Sequence, residues 1–197
     1  MLKLRRKILQ ASAGLVFAGP MLGQRQVLAQ TPECNPNPTP RQIEGPYYTP
    51  QTPRRSNLID GLPGEILVLE GRVLSTACQP VAGAIVDLWG CDAQGVYDNT
   101  GFKLRGNQIT DAQGRFRFET LMPGSYGNSS FQRTPHLHVK VQGPGTPLLT
   151  TQLYFSDQPL NQRDSFFNPA LLVKIEQKVQ QPKLALFDFV VPAQAKG

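Results

Sequence analysis

Apolar and polar residues alternate in short runs from about Glu65 to the end of the chain. The runs are EILVLEGRVL, GAIVDLWG, RFRFET, HLHVKVQG, LLTTQLYF and KLALFDFVVPA. A period of two places successive side chains on opposite faces of a strand, so each run predicts a strand with one buried face. Gly- and Pro-containing stretches separate the runs, the pattern of an all-β sandwich or barrel. ITDAQGRFRFETL reads as a hairpin turning at DAQG, with Asp111 as a turn residue. NPALLVKIEQKVQ is the one stretch that predicts a short helix. The Pro- and Thr-rich stretch TPECNPNPTPRQIEGPYYTPQTPRRSN has no period of either kind and reads as an extended arm laid over a core or a partner. The organisation expected is an arm over residues 31–64 and one β-domain over 65–197, without internal repeats.

Composition changes this picture at the N-terminus. The net charge of the 197 residues is +6, but the first 30 hold Lys3, Arg5, Arg6, Lys7 and Arg25 and no acid. Removing them leaves 15 basic residues (20 less 5) against 14 acidic, which gives no electrostatic case for a nucleic-acid or anionic-membrane partner. Those 30 residues read as an export signal, with a basic LKLRRK ahead of an apolar run too short and too interrupted for a stable membrane span. Adjacent Arg5 and Arg6 resemble a twin-arginine signal. The expected location is therefore periplasmic or extracellular. In such a compartment Cys34, Cys78 and Cys91 allow one disulfide and one free thiol, and Cys78 with Cys91, flanking a strand, is a candidate pairing.

The only histidines are His136 and His138. On a strand they share a face and aim two imidazoles at neighbouring points, which is half of a metal site. Zinc patterns such as H-E-x-x-H or paired cysteines are missing. Completion by a carboxylate would draw on Asp92, Asp98, Asp111 or Asp157. Completion by phenolates would draw on Tyr97 in QGVYDN and Tyr126 in PGSYGN, hard anionic donors suited to ferric iron.

The string from Leu104 to His138 resembles the intradiol ring-cleavage dioxygenases, the catechol and protocatechuate dioxygenase family. Pro123-Gly124-Ser125-Tyr126 and Arg133-Thr134-Pro135-His136-Leu137-His138 match its tyrosine turn and its R-x-x-H-x-H strand. GAIVDLWGCDAQGVYD, EGPYY from Glu44 and TTQLYF from Thr151 resemble further family motifs, in the family's order. Gly90 stands where relatives often carry histidine. The resemblance implies a transthyretin-like Greek-key sandwich and a non-haem Fe(III) ion held by Tyr97, Tyr126, His136 and His138. It implies Tyr97 and His136 in plane and Tyr126 and His138 axial, with Tyr126 displaced by substrate and serving as a base. Arg133 would stabilise negative charge on the substrate, Gln152 would lie near the oxygen side, and Tyr47 and Tyr48 would line the pocket mouth or pack the arm. The implied partners are a small aromatic diol and O2, with self-association into a homo-oligomer left open.

Two rivals share parts of this pattern. LEGRVLSTACQPVAGAIVDLW followed by TDAQGRFRFETLMPGSY also resembles transthyretin-like or carboxypeptidase-regulatory binding modules, which carry no iron. A second metalloenzyme would add one carboxylate to the two histidines for ferrous iron or copper.

Overall fold

The computed structural model describes residues 35–128 and 130–192. The proposed export signal lies outside them. The strands, in chain order, are β1 (Ile66–Ser75), β2 (Ile85–Trp89), β3 (Arg105–Ile109), β4 (Arg115–Leu121), β5 (Tyr126–Asn128) and β6 (Phe131–Arg133). They continue with β7 (His136–Gln142), β8 (Leu149–Tyr154), β9 (Lys174–Glu176), β10 (Lys183–Leu186) and β11 (Phe189–Val191).

Two sheets form a sandwich, as the alternation predicts. One sheet is antiparallel, in the order β3-β2-β7-β8. The other is mixed: β1 pairs antiparallel with β4 and parallel with β10 and β11, and β9 edges β10. Between them lies one core, in which Val86, Leu88, Leu137, Val139 and Val141 of the first sheet meet Leu67, Leu69, Phe116, Phe118 and Phe189 of the second. Burying each such side chain contributes about 1.5–3 kcal/mol, so the inner faces hold the two sheets together.

Residues 35–64 hold no strand or helix and form an arm. Its middle crosses the outer face of the antiparallel sheet, and its ends bond to the mixed sheet. The Thr39 amide donates to the Val190 carbonyl at 2.9 Å and the Gln42 amide to the Thr150 carbonyl at 2.8 Å. Further along, the Asn107 amide donates to the Pro53 carbonyl at 3.0 Å and the Leu58 amide to the Glu119 carbonyl at 2.8 Å.

Three expectations are corrected. DAQG does turn, with the Gly114 amide donating to the Asp111 carbonyl at 2.9 Å, but the strands on either side enter different sheets. β3 finds β2 and β4 finds β1, so the predicted hairpin is a crossing between layers. The NPALLVKIEQKVQ stretch forms a single 3-10 turn, Pro169–Leu171, capped by the Asn168 side chain, and then continues as β9. Cys91 is a free buried thiol while Cys78 is disulfide-bonded, which rules out the Cys78–Cys91 pairing. Cys34 lies outside the described residues. Among the described residues no helix is long and apolar enough to cross a membrane.

Candidate metal centre

β7 places Leu137, Val139 and Val141 inward and His136, His138 and Lys140 outward. His138 sits between Trp89 of β2 and Gln152 of β8, and His136 faces Tyr154. Both histidines are 1% exposed, because the arm crosses this face. Their Nε2 atoms are 3.1 Å apart. The His136 Nδ1 is 2.6 Å from the Thr134 carbonyl, so it carries the proton and leaves the Nε2 lone pair aimed at the site. His138 is oriented by packing instead. It stacks on Trp89 at 4.8 Å and 12° and lies against the arm at Gly45, and its Nδ1 has no hydrogen-bond partner. Burial, then the Arg133 charge, pushes His136 down to about 4; burial, then the neighbouring His136, puts His138 well below the ordinary range. Both rings are therefore neutral at pH 7, the form that binds a metal.

Tyr97 comes from the connection between β2 and β3, and Tyr126 opens β5. Their loops interlock through glycine. The Gly124 amide donates to the Asp92 carbonyl at 2.9 Å. A Cβ on Gly124 would sit 2.5 Å from the Ala93 carbonyl oxygen, and one on Gly95, where φ is +83°, would sit 2.3 Å from that of Ser125. No larger residue permits this approach. Tyr97 meets Tyr126 edge-on at 5.4 Å and His138 at 6.1 Å, and Tyr126 lies 5.6 Å from His136. Four rings from three separate segments thus converge. Cys91 packs beside them, its thiol pushed up to about 12, chiefly by burial, which leaves it inert as a nucleophile.

The donor set fits a cation. The buried Tyr97 hydroxyl makes no well-aligned hydrogen bond among the described residues and has only the Tyr126 hydroxyl and the Cys91 thiol close by; burial first, then Cys91 and Tyr126, raise its pKa. A neutral buried phenol without an acceptor is costly, and a metal removes that cost by displacing the proton. Two nitrogens bound at about 2.0–2.1 Å and a right angle lie about 3 Å apart, which the 3.1 Å between the imidazoles matches. Among the described residues no cluster of three His, Cys, Asp or Glu is available. The carboxylate-completed alternative therefore finds no third ligand: Asp98, for example, binds the amides of Thr100, Gly101 and Lys103.

Arg133 pairs with Tyr126 across the β5–β6 hairpin and is 2% exposed. Its Nε donates to Asp164 Oδ2 at 2.8 Å and its Nη2 to Gln152 Oε1 at 2.6 Å. Nη1 reaches the Tyr126 hydroxyl at 3.4 Å. Burial works against the guanidinium charge, but Asp164, with smaller contributions from Tyr126 and Tyr154, offsets this, so its pKa is raised. Gln152 also lies 2.8 Å from the Tyr154 hydroxyl and donates to the Ile43 carbonyl at 3.0 Å. Asp164 is a site residue that sequence reasoning missed. It lies 31 residues from Arg133, in the turns after β8, and no local pattern marks it.

Of the two arm tyrosines, Tyr47 reaches the centre and stacks on Tyr97 at 4.4 Å. Tyr48 turns to the sheet, where its hydroxyl donates to Asp87 at 3.0 Å beside Thr52, which donates at 2.7 Å. Burial raises the Asp87 pKa against those two hydrogen bonds. Tyr48 thus anchors the arm.

Fold and site together define a β-sandwich carrying two tyrosines and two histidines around one buried point. The family model described as "Dioxygenase" matches residues 43–191. The chain belongs to the intradiol ring-cleavage dioxygenase family. It is 31% identical over 153 residues to a catechol 1,2-dioxygenase of Pseudomonas sp. (strain EST1001), covering 66% of this chain and 51% of that protein. A hydroxyquinol 1,2-dioxygenase of Rhizobium sp. (strain MTP-10005) is 31% identical over 150 residues, covering 64% and 50%. The chain thus spans about half the length of the curated relatives it matches. Among solved structures, the dioxygenase domain of a dioxygenase–carbohydrate-binding protein fusion from Streptomyces sp. SirexAA-E is 44% identical, with a TM-score of 0.74, covering 79% of this chain and 99% of that one. Catechol 1,2-dioxygenase from Pseudomonas arvilla C-1 is 30% identical, with a TM-score of 0.72, covering 81% and 63%.

Proposed function

We propose that this chain is an Fe(III)-dependent intradiol dioxygenase that uses O2 to open a catechol-type ring between its two hydroxyl-bearing carbons. Tyr97, Tyr126, His136 and His138 would hold the iron. The observation that carries this reading is the convergence of those four rings, with the two Nε2 atoms 3.1 Å apart and a buried Tyr97 hydroxyl that has no well-aligned hydrogen bond among the described residues. Ferric iron held there would supply Lewis acidity toward the diol and its reaction with O2.

The protein's own groups divide the remaining work. Tyr97 is walled in and 7% exposed, whereas Tyr126 is half-buried on a three-residue strand. Tyr126 is therefore the phenol able to move aside and take a diol proton on its oxygen. Arg133 presents Nη1 beside that oxygen and offers a fixed positive charge to negative charge developing on the substrate. Asp164 and Gln152 fix the guanidinium; Gln152, with its Oε1 occupied by Arg133 and Tyr154, acts as a positioning residue. Tyr47 covers the Tyr97 side of the centre.

Export to the periplasm or beyond belongs to the same reading. The disulfide at Cys78 supports an oxidising compartment. So does the resemblance to a dioxygenase domain fused to a carbohydrate-binding protein from a cellulolytic bacterium. These features favour catechols released from plant polymers over intracellular intermediates.

The test is iron loading followed by spectroscopy. One iron per chain and a visible phenolate-to-iron charge-transfer band are expected, with Tyr126→Phe shifting the band. Oxygen uptake over a panel of catechol, protocatechuate, hydroxyquinol and larger lignin-derived catechols then identifies the substrate. Failure to bind iron would support the binding-module reading. A colour insensitive to Tyr126→Phe would support the carboxylate-completed centre.

A further inference from the structure

Arg105 is completely buried and forms no ion pair among the described residues. Its side-chain hydrogen bonds among the described residues all go to backbone carbonyls, with the Asp98 and Asp87 carboxylates acting on its charge from a distance. Nη1 donates to the Tyr47 carbonyl at 2.5 Å. Nε and Nη2 donate to the Asp98 carbonyl at 3.0 and 2.7 Å. The two acceptors come from distant parts of the chain, one on the arm and one on the residue that follows Tyr97. Just beyond them the Tyr47 and Tyr97 rings stack at 4.4 Å and 18°.

We propose that Arg105 is a positioning residue for Tyr97: one guanidinium clamps the arm to the Tyr97 loop and so sets the Tyr47–Tyr97 stack at the metal centre. The planar fork of an arginine reaches both carbonyls at once in a fixed geometry, whereas a lysine ammonium is a point charge on a flexible stem. Asp98 is held from its other side, where its carboxylate accepts the amides of Thr100, Gly101 and Lys103. The carbonyl that Arg105 grips is therefore fixed, and a shift of the arm is passed to Tyr97. Ordering the arm and placing the phenol become one event. The consequence for iron rests on reading Tyr97 as a ligand, but the coupling itself is a property of the metal-free protein.

The experiment is amide hydrogen exchange on the full-length metal-free protein and on Arg105→Lys, Arg105→Met, Tyr47→Ala and the Arg105→Met/Tyr47→Ala double variant. In both Arg105 variants, residues 45–52 and 97–104 should exchange about tenfold faster or more, with β1 and β4 within about twofold of wild type. Tyr47→Ala, which keeps the carbonyl but removes the ring, should quicken 97–104. The double variant should show less than the product of the single effects, because both act through one stack. After iron loading at matched occupancy, Arg105→Lys should shift the visible band and weaken iron binding about tenfold, the scale of outer-shell partners. The proposal is overturned if only 45–52 loosens while 97–104 and the band stay as in wild type, or if the effects multiply. Should Arg105→Met not fold, Arg105→Lys and Tyr47→Ala decide the question. Should the wild type bind no iron, the ligand assignment fails while the exchange data still judge the clamp.

Discussion

The two outer faces of the sandwich look alike in sequence and behave in opposite ways. β4 reads RFRFETL and β7 reads HLHVKVQ, each turning apolar residues inward and polar ones outward. On β4 the outward side meets water. The Arg117 side chain is 49% exposed and pairs with Glu70 and Glu119 at 2.9 and 2.7 Å. On β7 the outward side meets the arm, and His136 and His138 are 1% exposed. What separates a solvated face from a chemical one is a roof supplied by a segment without regular structure. Water screens every charge on the first face. Beneath the roof each polar group needs a specific partner, so a group without one points to a ligand.

The largest expected effect lies beneath the roof. His138→Ala removes a proposed metal donor and should lower iron affinity by more than the 10–100-fold typical of outer-shell changes, with ring cleavage falling in parallel; titration with iron followed by the charge-transfer band checks this. Retention of wild-type affinity would break the contrast between the faces. Next is Asp164→Asn, which leaves the Arg133 guanidinium buried with its only carboxylate partner among the described residues neutralised. Breaking such a pair costs about 3–5 kcal/mol, read by denaturant unfolding, and turnover should fall as Arg133 loses its aim at Tyr126. Leu137→Ala, one residue from each histidine but facing inward, should cost about 2–5 kcal/mol. Below its unfolding transition that variant should still bind iron with an unchanged band. The smallest effect is Arg117→Ala on the wet face, within about 0.5 kcal/mol and with no change in iron binding.

Much of this was legible in the chain, for a physical reason. Alternation is a local property, and it marked β1, β4, β7 and β8 and put both histidines on one face. The interlocked tyrosine loops were foreshadowed by their glycines, and the family motifs supplied the proposed ligands. Partnership across sequence was not legible. Nothing in DAQG tells whether the strands it joins pair with each other or with different neighbours; that depends on the vacancies beside β1 and β2. The same limit hid Arg105 and Asp164. Each is an ordinary polar residue until the fold brings its acceptor or its cation to it from elsewhere. Tyr48 and Asp87 are a further case, joined over 39 residues.

The bond between Thr39 and Val190 bears on the order in which the molecule is built. The Val190 amide donates to the Thr39 hydroxyl at 2.8 Å, joining positions 151 residues apart. A chain made from its N-terminus can seat the rest of its arm once β8 has emerged, but the tie at Thr39 must wait for the last strand, and contacts of such long range form late. A polypeptide cut short before residue 189 would keep every proposed iron ligand and still leave the start of the arm unmoored.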